Sequence, residues 1–103
     1  LHEAPLIYIS SKMGSIADNS SGGYYAYRMS KTALNMFTKS FSMDFPKIKT
    51  LCFHPGWVQT DMGGAGATTS KEDSVTGLLR VILEPQKYKT GSFISYTGDI
   101  LPW

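Results

Sequence analysis

The chain has 103 residues, of which 42% are hydrophobic, 17% charged and 13% aromatic, with ten Gly and five Pro. This is the composition of an ordinary globular domain, and it excludes a disordered tail, a disulfide scaffold and a collagen-like repeat. Ten basic residues against eight acidic ones give a net charge of +2, too small a bias to imply nucleic acid or an anionic membrane as a partner. The single cysteine, Cys52, has no partner for an internal disulfide and lies in an apolar run. That suits a reduced, cytoplasmic setting. No apolar stretch approaches the roughly 18 residues that span a bilayer. Leu1-His2-Glu3-Ala4-Pro5 has neither the basic start nor the apolar middle of a signal peptide.

Leu6-Ile7-Tyr8-Ile9 is a continuous apolar run between Pro5 and Ser10-Ser11. It reads as a strand buried on both faces, as in a parallel sheet. Residues 12–23 are mostly Ser, Gly, Asp and Asn without periodicity and read as a loop. From about Tyr24 to Phe45 the pattern is helical, with Tyr25, Met29, Ala33, Met36, Phe37, Ser40 and Phe41 on one stripe and Pro46 as the stop. Further small or apolar residues on other faces predict a helix packed on more than one side.

A second β-prone segment runs from Ile48 to Phe53 and ends at His54-Pro55-Gly56. After a loop containing Gly63-Gly64-Ala65-Gly66-Ala67, Thr69 and Glu72 form a capping-box pattern ahead of Val75, Leu78, Leu79 and Ile82, so a second helix is predicted up to Pro85. Ser92 to Tyr96 reads as a third strand between Gly91 and Gly98. The order β-α-β-α-β predicts an α/β fold with right-handed crossovers and a parallel sheet. A strand that is apolar on both faces belongs inside a sheet, yet none is encoded before Leu6. The expectation is that residues 1–103 are the C-terminal half of a larger domain, with a natural half-sheet protein as the alternative.

Tyr27-Arg28-Met29-Ser30-Lys31 sets a phenol and an ammonium four residues apart, on one helix face. An ammonium close to a phenol favours the phenolate, so a Tyr–Lys pair can serve as acid and base. Ser10-Ser11 ends the first strand and Pro55-Gly56, followed by Thr60, ends the second. Both therefore arrive at the carboxyl edge of the sheet, where ligands bind in α/β folds. His54 is given no catalytic role, Cys52 is assigned to the core, and no Cys or His spacing suggests a metal site. Trp57 is read as packing on substrate or on the sheet edge.

Three motifs in order, Ile9-Ser10-Ser11-Lys12-Met13-Gly14, Tyr27-Arg28-Met29-Ser30-Lys31-Thr32-Ala33-Leu34-Asn35 and Pro55-Gly56-Trp57-Val58-Gln59-Thr60-Asp61-Met62, resemble the short-chain dehydrogenase/reductase family. The resemblance covers essentially the whole chain, as the C-terminal half of a Rossmann-type doubly wound sheet. The Gly14–Gly23 insert and the Pro102-Trp103 ending are most similar to the C-factor and sniffer-type carbonyl reductase branch. It implies an NAD- or NADP-dependent oxidoreductase acting on a small carbonyl or alcohol, with NADP favoured by the branch. By resemblance, Tyr27 would exchange a proton with the substrate oxygen and contact the cofactor, and Lys31 would assist it and hold the cofactor ribose. Ser11 would bond the substrate oxygen, with Ser10 or Ser15 as alternatives, because the interval from Ser11 to Tyr27 is longer than in many members. Pro55, Gly56, Val58 and Thr60 would line the nicotinamide, with the Val58 backbone toward its carboxamide. Gly63–Ala67 would form a flap over the substrate. The Gly-rich dinucleotide loop and the residue that selects NAD or NADP belong to an upstream half. The resemblance further implies a homodimer using the Tyr27 helix; the rival readings are a signalling or binding protein that keeps the fold without catalysis, and an inactive truncated product.

Overall fold

The computed structural model describes residues 4–103. Leu1, His2 and Glu3, part of the segment read for a leader, lie outside the described residues. Three strands, β1 (Leu6–Ile9), β2 (Thr50–His54) and β3 (Phe93–Ser95), form a parallel sheet in the order β1-β2-β3. They alternate with helices α1 (Tyr25–Asp44) and α2 (Lys71–Leu83). The predicted β-α-β-α-β order is therefore observed.

Alternation along β2 sends its side chains to opposite faces. Leu51 and Phe53 join Ile94 and Val81 of α2 in the main core, with Ile7, Leu78, Tyr88 and Tyr96 packed around them. Cys52 lies on the other face, where Thr38 of α1 donates to its sulfur at 3.6 Å. Helices thus cover both faces of the sheet, as a parallel arrangement demands. The C-terminal segment returns across the α1 face, and Trp103 stacks on Phe93 with ring centroids 5.2 Å apart.

Three expectations are corrected. The first concerns β1, which is not buried on both faces: Leu6 is 39% and Ile9 47% exposed. Among the described residues it pairs only with β2, which leaves its other edge without a neighbour. Nor is α1 packed on several sides. Its buried residues are Asn35, Thr38 and Ser42, and small side chains there let it approach the sheet closely. Much of the apolar stripe faces outward instead, with Tyr25, Met29 and Met36 exposed, while Phe37 meets Tyr8 of β1 edge-on. The cap of α2 is Ser70, whose hydroxyl accepts the Asp73 N–H at 3.0 Å. Thr69 is unavailable, because its backbone bonds Trp57 and Gln59 in a bridge opposite Val58. The helix therefore starts one residue later.

Candidate active site

Ser11 follows β1 and caps a short 3₁₀ turn, Lys12–Gly14, its oxygen accepting the Met13 N–H at 3.1 Å. This turn lies directly on α1. A Cβ on Gly14 would stand 2.8 Å from the Lys31 carbonyl carbon and 2.9 Å from the Asn35 amide nitrogen, so only glycine permits the approach. Thr32 of α1 donates to the Gly14 carbonyl at 2.8 Å. The end of β1 is thereby held against the first two turns of α1, which carry Tyr27 and Lys31.

Tyr27 is 47% exposed, and the Lys31 ammonium lies 5.7 Å from its ring centroid. That is within cation–π reach. The helical spacing places the pair as the periodicity implied, with the phenol open to an incoming ligand.

Three serines are near enough in sequence to serve beside Tyr27, and their bonds separate them. The Ser10 hydroxyl donates to Asn35 Oδ1 at 2.6 Å inside the protein. Ser15 donates to the Pro102 carbonyl at 2.7 Å and accepts from the Asp18 N–H at 3.1 Å. Ser11 accepts one bond, and among the described residues its own proton has no partner. Of the three, Ser11 alone retains a donor for a ligand.

The segment after β2 reaches the same edge. Gly56 has φ +87°, and a Cβ there would meet Thr69 Oγ1 at 2.5 Å and the Tyr96 ring at 2.8 Å. A side chain is excluded by both conformation and space. Pro55, Gly56 and Val58 are partly buried, whereas Thr60 is exposed. The bridge between residues 58 and 69 is made by Gln59 N–H to the Thr69 carbonyl and Thr69 N–H to the Trp57 carbonyl. In a parallel bridge these flanking bonds leave the Val58 N–H turned away from Thr69, and among the described residues it has no acceptor. Its carbonyl accepts the Thr60 N–H at 2.8 Å.

Trp57 packs on neither the sheet edge nor an open site. Its indole N–H donates to the Gly63 carbonyl at 2.6 Å, and its ring leaves no room for a Cβ on Gly66. The tryptophan is an internal post of the 57–69 loop, and Met62 at the tip is 99% exposed.

His54 is a residue to which the sequence reading gave no role. Its Nδ1 accepts the Lys12 N–H at 2.9 Å, tying the turn after Ser11 to the end of β2. Burial of the ring, aided by the Lys12 charge and opposed by Asp18, pulls its pKa down to about 4. It is therefore a neutral imidazole with its proton on Nε2. A sequence signal existed only in its place at a strand end. Burial raises the Cys52 thiol above its ordinary value, the largest of several influences. Among the described residues no group of His, Cys, Asp and Glu could hold a metal ion.

No family model matches the chain. It is 52% identical over 98 residues to the C-signal of Myxococcus xanthus, covering 93% of this chain and 59% of that protein. Identity to the 1-hydroxy-2-glutathionyl-2-methyl-3-butene dehydrogenase of Rhodococcus is 36% over 101 residues, with coverage of 92% and 45%. Among solved structures, the carbonyl reductase Sniffer of D. melanogaster superposes with a TM-score of 0.85 at 39% identity, over 98% of this chain and 44% of that one. The NADPH-bound carbonyl reductase from chicken fatty liver gives 0.84 at 37% identity, over 98% and 43%. The chain spans about half the length of the relatives it matches. Several of these relatives are named as dehydrogenases or reductases, and over the part of their length that it spans the chain is similar to the short-chain dehydrogenase/reductase family.

Proposed function

We propose that this chain is the catalytic, C-terminal half of an NADP(H)-dependent carbonyl reductase or alcohol dehydrogenase. The observation that supports the reading is that three groups are carried by a turn and a helix packed together at one sheet edge. These are an exposed Tyr27 phenol, the Lys31 ammonium 5.7 Å from its ring, and the uncommitted Ser11 hydroxyl on a turn packed against the same helix. A nicotinamide, when bound, would supply the hydride for the substrate carbonyl carbon. As the C=O π bond breaks, its oxygen takes the Tyr27 proton, and the alcohol results. Lys31 stabilises the phenolate left behind, and Ser11 donates to the oxygen to orient it. In oxidation the same proton returns to Tyr27.

The residues present suit a nicotinamide. The Gly56 corner is fixed against Thr69 and Tyr96, and among the described residues the adjoining Val58 N–H has no acceptor, so it is available to a carboxamide oxygen. NADP is favoured because solved relatives include carbonyl reductases described with NADPH or NADP. The open edge of β1 and the exposed stripe of α1 suit an upstream half and a second subunit, respectively. The protein would thus be a homodimer acting on a small carbonyl compound or alcohol.

In the full-length protein, Tyr27→Phe should abolish NADPH-dependent reduction of aldehydes and ketones while leaving cofactor binding intact. Undiminished reduction would remove Tyr27 as proton donor. A second reading, a signalling protein of the same fold, is favoured by the 52% identity to C-signal. Absence of both NADPH fluorescence quenching and carbonyl turnover in the wild-type protein would favour it.

A further inference from the structure

We infer that Arg28 is a positioning residue, clamping the 13–23 loop to the first turn of α1 and so holding Tyr27 in register with Ser11. The inference rests on the reading above for the roles of those two residues, but its geometry stands apart from it.

The guanidinium makes four hydrogen bonds, all to this loop. Nε donates to the Gly23 carbonyl at 3.0 Å and Nη1 to the Met13 carbonyl at 3.3 Å. Nη2 donates to Ser21 Oγ at 3.2 Å and to the Gly22 carbonyl at 3.3 Å. One side chain therefore spans both ends of the loop, next to the turn that Ser11 caps and at the entry to α1. Among the described residues Arg28 has no carboxylate partner, so its donors serve the backbone instead of an ion pair. A planar fork of five donors suits several carbonyls approaching from different directions, whereas a lysine ammonium cannot reproduce that geometry.

The backbone shows why such a clamp is needed. Gly22, Gly23 and Tyr24 are consecutive residues at positive φ, +68°, +74° and +49°. Tyr24 is not glycine, it is 74% exposed, and it serves as the α1 N-cap without any side-chain cap bond. A left-handed tyrosine persists only where the surroundings hold it. Arg28 grips the carbonyls of Gly22 and Gly23, and its own N–H donates to the Tyr24 carbonyl at 2.8 Å. The strained corner and the helix start are thus fixed by one residue, and Tyr27 is its neighbour in the same turn. The first part of the loop has other anchors, His54 to Lys12 and Ser15 to Pro102. Arg28 joins that part to residues 21–23, where the one other side-chain link among the described residues is the Gly22 N–H to Asn19 Oδ1 at 3.0 Å.

The test uses amide hydrogen exchange together with ¹⁹F NMR of 3-fluorotyrosine placed at position 27 alone. In Arg28→Ala, amides of residues 15–24 should exchange at least about tenfold faster, with α2 and β3 unchanged as the control for folding. The fluorine resonance should shift or broaden. Arg28→Lys should fall between the two, and it decides the question if the alanine variant does not fold. Unchanged loop exchange, or a Tyr27 resonance that does not move, would overturn the proposal. Neither readout needs turnover, so a failure of Tyr27→Phe to affect carbonyl reduction would sink the catalytic reading and leave this result standing.

Discussion

Replacing His54 by Asn should flatten the acid side of the stability profile. The imidazole Nδ1 accepts the Lys12 N–H at 2.9 Å, and an Asn carbonyl oxygen can occupy nearly the same place without titrating. Facing the ring are Lys12, whose charge opposes protonation, Asp18, which favours it, and the Tyr96 ring at 6.4 Å. Desolvation dominates, and the folded pKa is about 4 against an ordinary 6.5. Between those values the unfolded chain binds a proton that the folded chain refuses, so folding stability from this group is complete above pH 6.5 and falls as pH drops towards 4. The gap corresponds to at most ~3 kcal/mol. Solvent screening at a partly exposed ring reduces this to roughly 1.5 kcal/mol. Urea unfolding at pH 7, 6, 5 and 4, with a common m-value, measures it. The wild type should lose about that much more than His54→Asn over the interval, although the variant starts lower at pH 7 through lost packing. Parallel profiles for the two proteins would refute the reasoning, as would an imidazole NMR titration near 6.5.

Ser10→Ala should destabilise the fold by about 0.5–1.5 kcal/mol, because it removes the stronger of two donors to the buried Asn35 Oδ1 and leaves the Cys52 thiol at 3.2 Å. Ser11→Ala should also lower stability, by about 0.5–2 kcal/mol through the lost cap on the Met13 N–H. It should, however, lower carbonyl reduction where Ser10→Ala does not, so initial rates on folded protein separate the serines. A Cβ on Gly77 would fall on the Tyr96 carbonyl oxygen, with Tyr96 Cα 2.8 Å away. Gly77→Ala should therefore cost about 1–3 kcal/mol or more, read as a lowered denaturation midpoint. Cys52 is fully buried and its thiol pKa is raised. It should resist a thiol reagent at pH 8 in the native protein and react at once in urea.

Much of the fold was legible because local pattern and global arrangement agree. Short apolar runs bounded by Pro, Ser and Gly became β1, β2 and β3, and the long period before Pro46 became α1. The Tyr27–Lys31 relation follows from helical geometry alone, since residues four apart share a face whatever else surrounds them. Where the reading failed, the deciding contact came from far along the chain. Thr69 is withdrawn from capping by a bridge to residue 58. The outward apolar stripe of α1 depends on which face fits closely over Cys52 and Gly14, and periodicity reports a stripe without saying what it meets. Trp57 turned into its own loop through a bond to Gly63 that no motif encodes.

By itself, then, the sequence determined the alternating α/β architecture, the order of the three motifs and the shared face of Tyr27 and Lys31. These are consequences of chain-local geometry and of short-range turn and stop residues. The tertiary structure alone decided which serine keeps a free proton, that His54 is neutral and braces the turn after Ser11, and that Arg28 closes the 13–23 loop. Each of these depends on groups brought together from separate elements, Asn35 to Ser10, Pro102 to Ser15 and His54 to Lys12. Hydrogen-bond donors and acceptors are matched by proximity in space, and only the folded chain sets that proximity.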